Sequence, residues 1–444
     1  MTGKELIDIV DSPKAAETLS SLYGEEELEP ARKRYRRLIE EFLDESVYPK
    51  QQFPETKGEL RLFSVPGRTE LGGNHTDHNR GKVLAASVHL DAAAAAAPRH
   101  DKLVFFRSVG HRDVKVNLTD LSPRQNERGE TEALIRGIAA DFTAQGTPVG
   151  GFTANAYNMV LTGSGLSSSA AVELLFAKIF DNLYCGGKRD TLELAKTGQR
   201  AENNYFGKPC GLMDQIACAS GGAVAIDFHD SQNPSIRKIN FDLAAAGYTL
   251  CVIDTKGKHS DLTADYAAIP KEMMKTAAFF GKAALRDLDE ETFMARIPNL
   301  RKALGDRALL RSFHFFSENR RVASMLQALE NGQNNMNAFL ALVRESGESS
   351  SEFLQNIYST KNPAEQGISL ALALTKRFLK GGGGICNGAC RVHGGGFAGT
   401  IQAYIPRGRL EAYRNMMEGV FGKGTFTVLR IRPLGAVELD FLQH

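Results

Sequence analysis

Residues 155–183 constrain the fold of this chain more than any other segment. The apolar stretch NAYNMVLT is typical of a β-strand, and it leads through the glycine- and serine-rich sequence GSGLSSS into an apolar helix predicted at 168–183. Glycines let the main chain of such a loop approach a ligand closely, and the N–H groups at a helix N-terminus attract anions. The sequence therefore predicts a strand, a phosphate-binding loop and a helix, with a serine-rich helix cap as the alternative.

Two common nucleotide-binding motifs do not fit this loop. A Walker loop needs a lysine directly after its last glycine, and no lysine is present there. A dinucleotide fingerprint needs a third glycine and a later acidic residue in a βαβ unit, and both are missing. The loop is therefore expected to bind phosphate in a different way.

Two further segments carry groups suited to chemistry. Residues 65–81, VPGRTELGGNHTDHNRG, set an arginine, a histidine and a carboxylate among glycines at the end of a predicted strand. The segment AENNYFGKPCGLMDQ places Glu202 on a helix and Asp214 in a glycine-flanked turn. Phosphoryl transfer needs magnesium on the phosphates and a group that receives the acceptor proton, so these carboxylates suggest a metal ligand and a base. Singly, each would more often be a solvated residue or a cap.

The order of the predicted elements is mixed α and β, without the regular alternation of a doubly wound sheet. A length of 444 residues favours two domains, which we place at 1–230 and 231–444. The segment HDSQNPSIRKINFDLAAAG is expected to be a loop, and few strands are expected between it and residue 382, apart from YTLCVIDT. Helices are predicted at 4–46, 131–143, 168–183, 190–205, 264–285, 292–303 with a break at Pro298, and 317–330. Strands are predicted at RLFSVPGR, KVLAASVHLDAAAAAA, KLVFFRSV, NAYNMVLT, GGAVAIDF, YTLCVIDT, GTIQAYIP and GTFTVLRIRPLG.

Composition favours small-molecule chemistry over binding to macromolecules. The chain has 54 basic and 52 acidic residues, which indicates neither a nucleic-acid surface nor an acidic tail. The first residues lack the apolar stretch of a signal peptide, and the alanine run at 92–97 is too short to span a bilayer. Six cysteines without a CxxC pair are typical of reduced thiols. We therefore expect a soluble cytoplasmic protein without nucleic-acid or membrane partners. The oligomeric state is left open, with a monomer slightly favoured.

Several motifs, in the same order, resemble those of one protein family. TGSGLSSSAAVE resembles the phosphate loop of the GHMP sugar and mevalonate kinases, and GRTELGGNHTDHNRG is similar to the galactokinase signature GRVNLIGEHTDYNGG. AENNYFGKPCGLMDQ, DTKGKHSDLTADY and CRVHGGGFAGT also resemble galactokinase segments. The resemblance spans about residues 25–440. It implies an α+β, two-domain GHMP kinase fold, with a ribosomal S5 domain 2-like N-terminal domain and a ferredoxin-like C-terminal domain, and an active site in the cleft between them.

The resemblance also implies a role for each matching residue. Asp214 would be the catalytic base that takes the proton of an anomeric hydroxyl, with Arg68 beside it, and ATP and Mg²⁺ would be the cofactors. The residues implied in sugar binding are Asn74, His75, Asp77, Gly211 and Tyr266. Those implied around the ATP phosphates are Gly163, Ser164, Gly165, Leu166, Ser167, Ser168 and Ser169. Ser169 and Glu202 would coordinate magnesium, and residues 394–396 would approach the site from the second domain.

Three departures from the family pattern concern the sugar, the nucleotide and the glycine-rich third motif. Asn74 stands where galactokinases carry a glutamate that accepts a hydrogen bond from the C6 hydroxyl, so the sugar is galactose or, alternatively, a hexuronate, a pentose or a modified galactose. Thr131 stands where a tryptophan often lies beside the nucleotide, and the chain has no tryptophan. His393 replaces a usual threonine and receives no predicted role. A catalytically silent sugar sensor is a third hypothesis, although Ser169 and Ala170 of the serine loop are intact.

Overall fold

The chain forms two antiparallel-rich sheets surrounded by helices. A computed structural model describes residues 3–44, 60–161, 163–257, 262–330, 335–380 and 387–441. The strands are β1 (Arg61–Gly72), β2 (Lys82–Pro98), β3 (Leu103–Ser108), β4 (Val114–Asn117), β5 (Phe152–Asn158), β6 (Ala223–Asp227), β7 (Ser235–Ile239), β8 (Tyr248–Asp254), β9 (Ala389–Val392), β10 (Thr400–Pro406), β11 (Phe426–Leu429) and β12 (Val437–Glu438). The α-helices are α1 (Gly3–Val10), α2 (Pro13–Tyr23), α3 (Leu28–Leu43), α4 (Thr131–Ala144), α5 (Ser168–Tyr184), α6 (Thr191–Ala201), α7 (Met213–Ser220), α8 (Thr263–Phe279), α9 (Glu290–Ala295), α10 (Ile297–Leu304), α11 (Asp306–Glu330), α12 (Met336–Ser349), α13 (Gly367–Lys380) and α14 (Leu410–Phe421).

The first sheet has the strand order β12-β1-β2-β5-β3-β4, and β6 and β7 extend it from the first half of β2. Its pairs are antiparallel except for β3 with β5, which run parallel. The long strand β2 pairs with two strands along the same edge: residues 82–86 pair with β6, and residues 92–98 pair with β5. This branching positions the loops after β1 and β5 on the same sheet.

The alanine run lies in β2 and is buried on both faces. Ala92, Ala94 and Ala96 belong to the main core under α4 and α5, whereas Ala93 and Ala95 belong to a second core under α1, α2 and α3. Side chains alternate between the two faces of a strand, and methyl groups let helices pack closely on both sides. The strand predicted here is confirmed, although helix propensity alone would favour a helix.

The second sheet has the order β11-β8-β10-β9 and is antiparallel throughout. Helices α13 and α14 cover it, and their apolar residues share one core with β8 and β10. Within the described residues, no strand lies between Asp254 and Ala389, in agreement with the prediction of few strands. The two sheets and their separate helices form the α+β fold that was expected.

Several predicted boundaries were wrong. The segment expected to be a loop contains β7, an edge strand whose residues SIRKI are mostly exposed and therefore gave little apolar signal. The strand predicted as NAYNMVLT ends at Asn158, where the chain turns towards the glycine loop. The predicted break at Pro298 falls at Arg296 instead, because proline is tolerated in the first turn of α10. Helix α11 begins at Asp306, eleven residues before the predicted start at 317.

Elements from both ends of the chain contribute to the first sheet. The helices predicted at 4–46 are present as α1, α2 and α3, and residues 45 and 46 lie outside the described ranges. Strands β7 and β12 both follow residue 230 and pair with the first sheet, so the division at 230 stays a prediction.

Across the part of the chain that the structure describes, none of the helices combines the length and apolar character needed to cross a membrane.

Candidate active site

The loop between β5 and α5 is built to bring main chain close to a ligand. Gly163 and Gly165 have φ angles of +75° and +72°, a region that favours glycine. A methyl group at Gly165 would lie 2.9 Å from the His393 Nδ1 atom. Ser167 is also left-handed, at φ +58°, and helix α5 begins at the next residue. The predicted glycine loop running into a helix is therefore confirmed.

Arg68 and Asp214 form an ion pair beside this loop. Arg68 Nε and Nη2 donate to Asp214 Oδ1 at 2.8 and 2.7 Å, and Arg68 Nη1 donates to the carbonyl of Gly165. The Ser167 hydroxyl donates to the other carboxylate oxygen, Asp214 Oδ2. The arginine side chain is 7% exposed and the aspartate side chain 33%, so the carboxylate keeps a solvent-facing side. The structure thus brings together two predicted catalytic residues and the serine loop.

The position of this pair follows from local structure. Arg68 lies at a register shift in the pairing of β1 with β2, between Pro66 and Arg68. Such an irregularity changes the direction of a side chain relative to the regular strand. Asp214 lies in the first turn of α7, where the positive end of the helix dipole favours a negative charge. Burial alone would raise the pKa of Asp214, but the Arg68 charge and the Ser167 hydrogen bond hold it below its usual value. The carboxylate is therefore ionised at neutral pH.

Three of the predicted sugar-binding residues contact the glycine-rich segment after β9. His75 adopts φ +59°, and its Nε2 atom donates to the Gly395 carbonyl at 3.1 Å. Burial lowers the pKa of His75 to about 4, so the ring is neutral at pH 7. The Tyr266 hydroxyl donates to the Gly396 carbonyl at 3.1 Å, and its ring packs against Gly395. Asn74, the third, also contacts this segment.

Asp77 and Gly211 lie next to each other. A methyl group at Gly211 would collide with Asp77 Oδ2, so only glycine lets the carboxylate approach the main chain here. The structure therefore joins the loop after β1 to the segment that precedes Asp214.

Asn74 is buried, and its amide is fully engaged within the protein. Its Nδ2 atom donates to the Gly394 carbonyl at 2.9 Å and to Glu70 Oε2 at 3.3 Å. Its Oδ1 atom accepts from Asn356 Nδ2 at 3.0 Å. The amide thus links the loop after β1 to the glycine-rich segment after β9.

His393, which received no predicted role, links the glycine loop after β5 to strand β1. Its Nδ1 atom donates to the Ser164 carbonyl at 3.1 Å, and its Nε2 atom accepts from Thr69 Oγ1 at 3.0 Å. Thr69 in turn accepts from Gln402 Nε2 at 2.7 Å. Burial and the charges of nearby arginines lower the pKa of His393 to about 3, so it acts as a neutral hydrogen-bonding residue.

A buried ionic network behind the site was missed by the sequence analysis. Arg391 of β9 pairs with Glu70 of β1, and both side chains are under 5% exposed. Glu318 of α11 accepts a hydrogen bond from the Gly73 N–H at 3.0 Å. Burial alone would raise the pKa of Glu318, but nearby His314 and the arginine charges outweigh it and lower the pKa to about 2. The sequence shows these charged residues, but it does not show which of them pair in the folded protein.

Glu202 lies close to Asp214 and shares a hydrogen-bond donor with a second carboxylate. Gln215 Nε2 donates to Glu202 Oε2 at 3.3 Å and to Glu173 Oε2 at 3.0 Å. Lys208 Nζ donates to Glu202 Oε1 at 3.1 Å. Glu173 Oε1 is buried and has no hydrogen-bond partner among the described residues. Burial and the Glu202 charge raise the pKa of Glu173 well above its usual value.

The predicted magnesium ligands are Ser169 and Glu202. Ser169, in the first turn of α5, and Glu202 offer a hydroxyl and a carboxylate, which are hard oxygen donors of the kind Mg²⁺ prefers. Mg²⁺ is commonly held by one or two carboxylates together with substrate phosphates. No group of three or more His, Cys, Asp or Glu residues suited to a metal occurs within the described ranges. The donor set therefore fits a phosphate-assisted magnesium site better than an all-protein one.

The serine loop and the glycine-rich segment face each other across a cavity of about 190 Å³. Its lining includes Gly163, Gly165, Tyr266, His393 and Gly395. The ion pair of Arg68 and Asp214 lies directly behind Gly165. The glycine loop and Tyr266, one of the candidate sugar ligands, thus line one cavity, and the ion pair of Arg68 and Asp214 contacts the loop at Gly165 and Ser167.

The fold and this cleft define a GHMP kinase. Residues 133–222 match the family model described as "GHMP kinases N terminal domain", and residues 50–98 match the "Galactokinase galactose-binding signature". The galactokinase of Streptomyces coelicolor is 31% identical over 372 residues, which cover 83% of this chain and 91% of that protein. The galactokinase of Glaesserella parasuis is 30% identical, covering 81% and 89%. The chain belongs to the galactokinase family.

Solved structures show the same fold. The Lactococcus lactis galactokinase, crystallised with galactose, matches with a TM-score of 0.73 at 24% identity, covering 88% of this chain and 97% of that chain. The Methanococcus jannaschii mevalonate kinase matches with a TM-score of 0.59 at 14% identity, covering 84% and 99%. The predicted GHMP kinase fold and family are therefore confirmed.

Proposed function

We propose that the protein transfers the γ-phosphoryl group of ATP to the anomeric hydroxyl of galactose, giving galactose 1-phosphate and ADP. The observation that carries this proposal is the ionised Asp214 held between Arg68 and Ser167, where the phosphate loop runs into α5. Members of the galactokinase family use ATP as their phosphoryl donor. The family membership and this geometry support the same reaction.

In the proposed mechanism, the C1 hydroxyl donates its hydrogen bond to the Asp214 carboxylate. The sugar oxygen forms a bond to the γ-phosphorus as the bond from that phosphorus to the ADP oxygen breaks, and the proton passes to Asp214. Because its pKa is low, Asp214 is a weak base, and its main contribution is to orient the hydroxyl for in-line attack. Arg68 shares the negative charge that develops on the transferring group.

The serine loop and a magnesium ion would neutralise the nucleotide. Main-chain N–H groups of the loop and of the α5 N-terminus would hold the phosphates. Ser169 and Glu202 would bind Mg²⁺, with Lys208 released from Glu202 as the ion binds. When bound, the ion supplies positive charge to the phosphate oxygens.

His75, Asp77, Gly211 and Tyr266 are proposed to hold the sugar hydroxyls. Asn74 favours a second candidate, a 1-kinase for galacturonate, arabinose or a modified galactose, because it removes the negative charge that galactokinases place there. A non-catalytic sensor is not favoured, since the ion pair and serine loop of a working site are both present.

The test is a coupled ADP-release assay across galactose, galacturonate, arabinose, fucose and N-acetylgalactosamine. We expect turnover with galactose and a loss of at least about 1,000-fold in kcat for Asp214→Ala. The fold should stay intact by circular dichroism, although the melting temperature should fall because buried Arg68 loses its counter-charge. Full activity in that variant would contradict the mechanism. Turnover on another sugar alone would favour the second candidate, and its Asn74→Glu variant should then gain galactose turnover.

We further propose a cytoplasmic monomer with domains at 1–230 and 231–444. The balanced charge and the likeness to metabolic kinases support the compartment. Light scattering coupled to gel filtration tests the mass of 48.4 kDa expected for one chain. Limited proteolysis with mass spectrometry tests the boundary, since cleavage near residue 230 should precede cleavage inside either half.

A further inference from the structure

A larger cavity lies outside the active site. It has a volume of about 460 Å³ and opens between helix α3, strand β2 and the chain that follows β5. Its apolar wall includes Pro30, Ala31, Leu90, Tyr157 and Met159. The proposed reaction uses none of these residues. A mostly apolar cavity of this size is typical of sites for small organic molecules.

A charged cluster below this cavity carries an excess of positive charge. Asp91 is fully buried between two arginines, with Arg34 Nη1 at 2.8 Å from Oδ1 and Arg432 Nη1 at 3.3 Å from Oδ2. The hydroxyl groups of Tyr23 and Ser64 also contact Asp91. Burial and Asp91 raise the pKa of Tyr23, so this phenol stays neutral. Two buried cations therefore face one buried carboxylate.

The two arginines differ in how their N–H groups are satisfied. Arg432 donates from Nε to the Leu434 carbonyl at 2.7 Å, from Nη1 to Ser64 Oγ at 2.6 Å and from Nη2 to the Gly435 carbonyl at 2.9 Å. For Arg34, the buried Nε and Nη2 atoms have no hydrogen-bond partner among the residues that the structure describes. Buried N–H groups without partners are rare and costly, and the cost is larger for a charged group.

Arg34 is the arginine that lines the cavity. Its side chain is 9% exposed, and its Nη1 atom contacts the sulfur of Met159. Met159 is one of the exposed apolar residues, at 38%, and a methionine side chain changes rotamer easily. Moving the Met159 side chain would open the guanidinium to a ligand in the cavity.

The other charges around the cavity do not balance this excess. Arg37 lies on the rim and pairs with Glu41 at 2.7 Å. Lys33 and Glu27 are exposed on the rim, so solvent screens their charges from the buried cluster. Burial and the charge of Arg430 lower the pKa of His89, in the wall, to about 4, so His89 is neutral at pH 7.

We propose that this cavity binds a small organic anion, with an apolar body against α3 and β2 and a carboxylate or phosphate group at Arg34. The anion would supply the acceptors that Arg34 Nε and Nη2 lack and would neutralise the extra buried charge. Lys33 at the rim would attract the anion from solvent.

Benzoate and phenyl phosphate serve as probes, and the neutral benzamide serves as their matched control. Binding is measured by isothermal titration calorimetry and ligand-observed NMR with saturating ADP and Mg²⁺, which occupy the proposed phosphate site. We expect Kd values on the order of 1 mM or below for the anions, and at least about tenfold weaker binding of benzamide. Absence of anion binding, or equal binding of benzamide, would overturn the proposal.

Two variants locate the binding. Arg34→Met leaves Asp91 paired with Arg432 and should weaken anion binding at least about tenfold. Lys33→Glu changes an exposed side chain and should weaken it about threefold or more, whereas the exposed Lys4→Glu should leave it unchanged. If Arg34→Met does not fold, Lys33→Glu decides. Unchanged anion affinity in the folded variants would refute the assignment.

Discussion

Replacing Arg68 by methionine tests the electrostatic role of the ion pair. The substitution removes the two N–H groups that contact Asp214 at 2.8 and 2.7 Å and keeps an unbranched side chain of similar length. Opposite charges about 4 Å apart interact by about 4 kcal/mol at the effective dielectric constant near a protein surface. Because the Asp214 side chain is 33% exposed, we reduce this figure to about 2–3 kcal/mol for solvent screening. If the interaction of Arg68 with the transferring phosphoryl group is weakened by the same amount, kcat/KM falls roughly 30- to 150-fold.

The same variant should change the pH dependence in a defined direction. In the wild type, the charge of Arg68 counteracts burial and lowers the pKa of Asp214, so the carboxylate stays ionised as the pH falls. Without that charge, burial dominates and the pKa rises, so activity is lost at a higher pH on the acid side. The profile of kcat/KM is measured by ³¹P NMR, which needs no coupling enzymes. Arg112→Met, which removes an exposed arginine paired with Glu130 and Glu132, is the control.

Two results would refute this reasoning. A loss below about threefold in kcat/KM would show that the Arg68 charge does not act on the transferring group. An acid limb that stays at the wild-type position would show that Arg68 does not control the ionisation of Asp214. An equal loss in Arg112→Met would point to a general effect of removing positive charge.

Three other predictions concern packing and the metal. Glu70→Gln leaves buried Arg391 without its counter-charge, so the free energy of unfolding in urea should fall by about 3–5 kcal/mol. Gly165→Ala meets both a left-handed φ and a steric contact, so it should raise the KM for ATP and lower stability more than Gly110→Ala, where no atom lies within 4 Å. Gln215→Leu removes the donor shared by two carboxylates, so the Mg²⁺ concentration at half-maximal activity should change several-fold while galactose KM does not.

Each of these predictions has a contradicting outcome. A fall in unfolding free energy below about 1 kcal/mol for Glu70→Gln would mean that the ion pair is dispensable. Equal effects of the two alanine variants would mean that backbone strain, and not the contact with His393, sets the cost. An unchanged Mg²⁺ dependence in Gln215→Leu would remove Glu202 from the proposed metal site.

Local pattern was enough to predict most elements of the fold. The short flanks of the alanine run and the turn after it predicted β2, and the strand, glycine loop and helix pattern at 155–183 predicted β5 and α5, all to within a few residues. The edge strand β7 escaped because its side chains are exposed, and the pairing of β1 with β12 depends on residues almost the whole chain apart. Periodicity carries no information about such distant partners.

The candidate site was predictable where a motif names the residue and its partner together. Arg68 and Asp214 were expected to lie side by side, and the structure places them in contact. For Asn74, its position in the galactokinase-like motif implied a sugar ligand, but its side-chain oxygen is bound by Asn356, 282 positions away. His393 was left without a role for the same reason, since two of its partners, Thr69 and Ser164, come from distant segments.

The return of the last strand to the first sheet has a consequence for how the chain is made. Strand β12 pairs with β1, and the fully buried Arg432 reaches back to Asp91 in β2. During synthesis, the edge of β1 therefore has no strand beside it until residues 437 and 438 have left the ribosome. Long-range pairings of this kind slow folding, and an open strand edge invites association with other chains. A nascent chain that stalls before residue 430 would present that open edge and would lack the contacts of Arg432 with Asp91 and Ser64, which makes it a natural client for chaperones.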